Sequence, residues 1–131
     1  MPVTAIKGPA ERSLADTILV SGHYRQQDLP EGMLLRERPI GDTEVHLLLD
    51  GLLLIEIDRQ PALEVGPGAI FDPATRPQYS KEHVIVRART PCRLAVLRRD
   101  QLDSRALLDS AAEQASRLNA YIENRDRQPP G

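Results

Sequence analysis

From residue 30 to residue 68 the chain is cut repeatedly by proline and glycine, at Pro30, Gly32, Pro39, Gly41, Gly51, Pro61, Gly66, Pro67 and Gly68. Proline removes a backbone donor and fixes φ, and glycine raises the entropic cost of ordering, so helices of ordinary length cannot form across these points. The runs between them are of strand length and rich in Leu, Ile and Val, which predicts a succession of short strands.

Two strand pairs stand out. Val45–Leu49 and Leu52–Ile57 flank Asp50-Gly51, a dipeptide suited to the positive φ angles of a tight turn, and are expected to form a hairpin. In the second arm Ile55 and Ile57 face one way and Glu56 and Asp58 the other. His83–Arg89 and Arg93–Leu97 flank Thr90-Pro91-Cys92 and are expected to form a second hairpin, with Val84, Val86 and Ala88 on one face and Arg87 and Arg89 on the other.

Helical spacing occurs only at the two ends. Ser13 is a candidate N-cap for a short helix carrying Leu14, Ala15, Ile18 and Leu19, which stops at Ser21-Gly22. Asp103 is a candidate cap for a terminal helix whose Leu107, Ala111, Ala115, Leu118 and Ile122 make one apolar stripe. Residues 1–12 and 123–131 are poor in apolar residues, hold Pro2, Gly8 and Pro9 or end in Pro-Pro-Gly, and are expected to be loose tails. The expected domain is therefore 13–122: a mainly β, jelly-roll-like double-stranded roll flanked by a short N-terminal helix and a C-terminal amphipathic helix.

Composition narrows the function. A chain of 131 residues has room for one core, and with aromatics at 3% and no Trp that core must be aliphatic. A net charge of −2 gives no general attraction for a polyanion, and nucleic acid is not an expected partner. No apolar run approaches the roughly 20 residues of a membrane span, and the start Met1-Pro2-Val3-Thr4-Ala5-Ile6-Lys7 lacks the apolar core of a signal peptide. With Cys92 the single cysteine, no internal disulfide forms, and the cytoplasm is the expected compartment.

The stretch Gly41–Asp58, followed by Ala62-Leu63-Glu64-Val65-Gly66-Pro67-Gly68, resembles the first half of a cyclic-nucleotide-binding domain, and Val84–Leu102 resembles the strands that close that family's roll and lead to its C-terminal helix. The resemblance covers residues 22–122. It implies a β-roll, a regulatory role and a cyclic nucleotide as ligand. It also implies a phosphate-binding cassette between the two halves, whose Gly-Glu opens a short helix and holds the ribose, and whose Arg, followed by Ser or Thr, holds the cyclic phosphate.

Here the pattern departs from the family. Counted without gaps from Gly66-Pro67-Gly68 to Arg87-Ala88, Asp72 stands where the family has Gly, Pro73 where it has Glu, Glu82 where it has Arg, and His83 where it has Ser or Thr. A carboxylate in place of a phosphate-binding Arg loses a charge-assisted hydrogen bond worth about 1.5–3 kcal/mol and adds repulsion. The altered cassette, Phe71, Asp72, Pro73, Lys81, Glu82 and His83, is the candidate ligand-binding region. A shift of one residue brings Lys81 to the family's Arg position, and Arg76, Arg87 and Arg89 are candidate anion contacts.

The expected function is a non-catalytic regulatory or binding module in which cAMP or cGMP binding is lost or altered, acting by protein contact or on another small anionic ligand, with no cofactor. One alternative is a cyclic-nucleotide sensor with a non-standard pocket. Another is a cupin-like metalloenzyme using His46, Asp72 and His83, although no His-x-His pair is present and no metal is expected. Cys92 is expected to be a small buried thiol. No winged helix is expected after residue 122, and the terminal helix is the expected surface for a protein partner or for self-association.

Overall fold

The computed structural model describes residues 3–4, 7–35, 44–71 and 84–127. Strand β1 (Val3–Thr4) and helix α1 (Pro9–Ser21) precede seven further strands: β2 (Arg25–Leu29), β3 (Glu44–Asp50), β4 (Leu53–Ile57), β5 (Gln60–Val65), β6 (Ile70–Phe71), β7 (Val84–Ala88) and β8 (Cys92–Arg98). A single 3-10 turn at Arg99–Gln101 leads into helix α2 (Ser104–Arg127). The strands form two four-stranded sheets, in the order β1-β5-β4-β7 and β2-β8-β3-β6. The fold is mainly β, a roll with a helix at each end of the chain.

The two expected hairpins are not hairpins. β3 pairs with β8 in one sheet and β4 pairs with β7 in the other, so Asp50-Gly51 and Thr90-Pro91 are corners rather than turns. The register runs almost unbroken through them, from Glu44↔Arg98 to Asp50↔Arg93 and then from Leu53↔Ala88 to Ile57↔Val84. One long antiparallel ribbon thus bends across the molecule and contributes two strands to each sheet. The bend explains why a Gly is needed away from a hairpin: Gly51 has φ +98°, and a Cβ there would lie 2.5 Å from the Pro91 carbonyl oxygen.

The true local hairpin is β4–β5, closed by Asp58 and Arg59 with Ile57 opposite Gln60. Both turn residues have positive φ, 51° and 69°, the conformation a two-residue turn requires to match strand twist. Neither is glycine, and the left-handed conformation is strained most at Arg59.

The β3 and β8 runs read as continuous apolar segments because their sheet is covered on both faces. Leu48, Leu94 and Val96 face the other sheet, where they meet Leu53, Val65 and Ala88. Val45, Leu47, Ala95 and Leu97 face the helices, where they meet Leu14, Ile18 and Leu107. Farther along α2, Leu118 packs on Ile57, Ala62 and Leu63 at the far sheet. Leu107 and Leu118 are therefore spent on the chain's own core, and the apolar stripe expected to supply a self-association surface is buried at both positions.

The ends are more ordered than expected. α1 begins at Pro9 with Gly8 as N-cap, so residues 9–12, expected in a loose tail, form its first turn, and Ser13 lies inside the helix instead of capping it. Proline at the first helical position loses nothing by lacking an N–H. α2 continues through Arg127, past the expected limit of 122, while its start is as expected, with the Asp103 carboxylate accepting the Ala106 N–H at 3.0 Å. β1 pairs in parallel with β5, an interaction that two residues of sequence could not announce.

Two stability changes follow. Gly51→Ala is expected to cost about 2–3 kcal/mol, from the forced positive φ and the collision with Pro91. Arg59→Gly is expected to stabilise by about 0.5–1 kcal/mol, the relief of left-handed strain exceeding the entropy of the added glycine. Urea denaturation of both variants against the unmodified chain checks the opposite signs.

Candidate functional site

The candidate region begins where β6 ends. Phe71 is partly buried and packs on the core between the sheets. Asp72, Pro73, Arg76, Lys81, Glu82 and His83 lie outside the described residues.

Arg87 and Arg89, on β7 and just beyond it, sit as the alternation predicts, on the side opposite buried Ala88. Each has a carboxylate partner. Arg87 Nε donates to Glu56 Oε2 at 3.1 Å, and its Nη1 donates to the Gly32 carbonyl at 2.8 Å. Arg89 pairs with Glu64 of β5. The pairs are partly exposed and contribute only about 0–1 kcal/mol each, yet an incoming anion would have to compete with a carboxylate already at each guanidinium. Arg87 also ties down residues 32–35, which run along the outer edge of β7. There the Leu35 N–H donates to the Val86 carbonyl at 2.9 Å and the Ala88 N–H to the Met33 carbonyl at 2.9 Å, so this sheet edge is covered.

The strand that leads into the candidate region is held from the helices by groups that sequence reasoning missed. Glu11 of α1 is fully buried. Its carboxylate accepts the Ile70 N–H at 3.0 Å, the Gln114 side-chain amide at 2.7 Å and an Arg117 Nη2 at 3.0 Å. The same Gln114 amide donates to the Ile70 carbonyl, so both backbone groups of Ile70 are satisfied by this cluster. In return, Glu113 of α2 accepts the N–H groups of Ala10 and Glu11, each at 2.9 Å, capping the positive end of α1. A Cβ at Gly8 would lie 2.4 Å from that carboxylate, so a side chain there would push Glu113 away from the two N–H groups it accepts. The signal for Glu11 was present: it falls three, four and seven residues before Leu14, Ala15 and Ile18, on the same stripe.

The other sequence candidates are structural where they are described. His46 is buried in β3. Cys92 is buried, its thiol donating to the Leu52 carbonyl at 3.3 Å, and burial pushes its pKa up, away from the thiolate a nucleophile needs. Among the described residues no group of three His, Cys, Asp or Glu side chains is arranged to hold a metal.

No family model matches the sequence, and no curated protein matches it. Solved structures do match the fold. Oxidized CprK in complex with o-chlorophenolacetic acid superposes with a TM-score of 0.58 at 11% identity, over 95% of this chain and 54% of that one. The c-di-GMP responsive global regulator CLP of Xanthomonas campestris gives 0.60 at 18% identity, over 86% of this chain and 62% of its own. The cAMP-bound PfPKA-R gives 0.56 at 14% identity, over 86% of this chain and 43% of its own. The chain has the fold of a cyclic-nucleotide-binding domain. It spans about half the length of the solved chains it matches. Within this cyclic-nucleotide-binding fold the β3–β4/β7–β8 ribbon forms the roll, and α1 and α2 grip the strand from which the 72–83 segment departs.

Glu11→Ala is expected to cost about 3–5 kcal/mol, because it leaves the buried Ile70 N–H without its acceptor and takes one partner each from Gln114 and Arg117. Asp16→Ala, on the exposed side of α1, is expected to change stability by no more than about 0.5 kcal/mol. A loss below about 1 kcal/mol for Glu11→Ala in urea denaturation would show that the cluster is not holding the helices to the roll.

Proposed function

We propose that the chain is a regulatory binding module without catalysis of its own, built on the cyclic-nucleotide-binding fold, and that it works by protein contact or through a ligand other than cAMP or cGMP. The observation that carries this reading is the combination of an intact framework with a changed cassette. β3 to β6 and β7 to β8 form the roll, while Asp72, Pro73, Glu82 and His83 stand where the family's Gly, Glu, Arg and Ser or Thr are expected.

Two physical points support it. Pro73 has no N–H and no carboxylate with which to hold a ribose, and Glu82 repels a phosphate where the family's Arg attracts it. Arg87 and Arg89 are the described cations nearest in sequence to the cassette, and both are already paired with glutamates. The fold itself tolerates unlike ligands: the matched structures concern a chlorinated aromatic acid in CprK, c-di-GMP in CLP and cAMP in PfPKA-R. A small organic ligand other than a cyclic mononucleotide is consistent with that range. No helix among the described residues is long and apolar enough to cross a membrane, and the proposal places the module in the cytoplasm without a nucleic-acid partner.

Isothermal calorimetry with cAMP, cGMP and the cyclic pyrimidine nucleotides tests the reading, with Glu82→Arg run alongside. No heat from the unmodified chain is the expected result. Micromolar binding by that chain would overturn the proposal and make the module a nucleotide sensor. Binding gained by Glu82→Arg would support both the lost pocket and the register on which it was inferred.

A further inference from the structure

The two sheets end in four outer edges, β5-side, β7, β6 and β2, and three of these are blunted. The outer side of β5 is taken by β1, and β5 carries Pro61 beside a register break against β4. The outer side of β7 bonds residues 32–35. β6 is two residues long. Proline, irregularity, brevity and a covering segment are the usual means by which a sheet edge is kept from pairing with another chain.

β2 has none of them. Arg25–Leu29 is five residues long, lacks proline and lysine, and runs in unbroken register with β8 from Arg25↔Val96 to Leu29↔Cys92. No described strand lies on its outer side, and Arg25, Gln26 and Asp28 are exposed. Large exposed hydrophobic side chains among the described residues are Leu19, Val20, Met33 and Leu108, and the first three flank this strand in the chain. Leu19 and Val20 end α1 shortly before β2, with Val20 at 87% exposure, and Met33 follows Leu29.

We propose that the outer edge of β2 is a self-association surface, on which a second copy of the chain adds its own β2 antiparallel and joins the two sheets into one. A two-fold axis normal to the sheet keeps each residue on its own face, so the ladder must be centred on a residue. Centred on Asp28, it sets two carboxylates face to face and draws in Pro30. Centred on Gln26, it sets Leu29 against His23, outside the strand. Centred on Gln27, it pairs all five residues: Arg25 with Leu29, Gln26 with Asp28 and Gln27 with itself. No like charges then face each other, and the Gln26 amide can donate to the second copy's Asp28 carboxylate at two symmetry-related places. The antiparallel sense also puts the α1 end of one β2 beside the Met33 end of the other, so exposed apolar residues flank the joint at both ends. The edge thus matches itself in length, charge and register, which is the argument for a second copy as its occupant. The surface lies apart from the candidate cassette and does not depend on which ligand the module takes.

Sedimentation equilibrium of the full chain across the micromolar range tests it, and a monomer–dimer equilibrium is the expected result. Gln26→Asp, which sets a carboxylate opposite Asp28 at both places, is expected to weaken association at least about fivefold. Gln26→Lys, which sets an ammonium there, is expected to tighten it by a similar factor. Opposite signs at one exposed position cannot come from loss of folding, and urea midpoints of both variants check that the fold is kept. Leu108→Glu, at the exposed hydrophobic residue of α2, is expected to leave the equilibrium unchanged. A chain that stays monomeric into the millimolar range, the same response to both Gln26 variants, or a dimer abolished by Leu108→Glu would each overturn the proposal.

Discussion

The fold turns on one crowded corner. Two antiparallel strands must leave one sheet and enter the other together, and they do so where Gly51 passes over Pro91 and Cys92. The crossing backbone is fastened by local bonds: the Leu52 carbonyl accepts the Arg89 N–H at 2.9 Å and the Cys92 thiol at 3.3 Å, and the Leu52 N–H donates to the Thr90 hydroxyl at 3.0 Å. With the corner fixed, β3 and β8 are committed to the layer beneath the helices and β4 and β7 to the opposite layer. Both cores then follow from side-chain alternation along a single ribbon.

The corner also explains what the sequence disclosed and what it did not. The positions of β3, β4, β7 and β8 and the class of the fold were legible, because they depend on local punctuation and on the alternation of residues such as Val86, Arg87 and Ala88, whereas β1 and β2 were not, and Asp58, expected on a strand face, lies in the turn after β4. Pairing was not. Asp50-Gly51 has the chemistry of a hairpin turn, and only the presence of Thr90-Pro91-Cys92 beside it makes it a bend. Conversely, Asp58-Arg59 closes the real hairpin without a glycine, and the pairing of β4 with β5 holds Arg59 at positive φ against its local preference. The candidate site was legible only as a pattern of substitutions against the family cassette, since Asp72 through His83 lie outside the described residues.

The helices were read correctly as helices but not as partners. Their apolar stripes foretold burial, whereas the reciprocal use of Glu11 and Glu113 joins residues more than a hundred positions apart and has no local signature. Burying Glu11 is costly unless every lone pair is used, and here an amide N–H, a side-chain amide and a guanidinium use them. Such a cluster is specific in a way that an apolar contact is not. If α2 slid by one turn along α1, Gln114 and Arg117 would leave Glu11, and Glu113 would leave the α1 N-terminus, so the helices have one low-energy alignment.

That alignment has a consequence for how the module can bind. Because Gln114 and Glu11 hold the carbonyl and the N–H of Ile70, the last strand before the 72–83 segment is fixed to the helical layer as well as to its own sheet. The same alignment sets the gap between Thr17 on α1 and Ala106 and Asp109 on α2, at the other end of the helix pair. One buried carboxylate therefore positions the approach to the roll and the surface on the helices. A change at Glu11 should disturb both together.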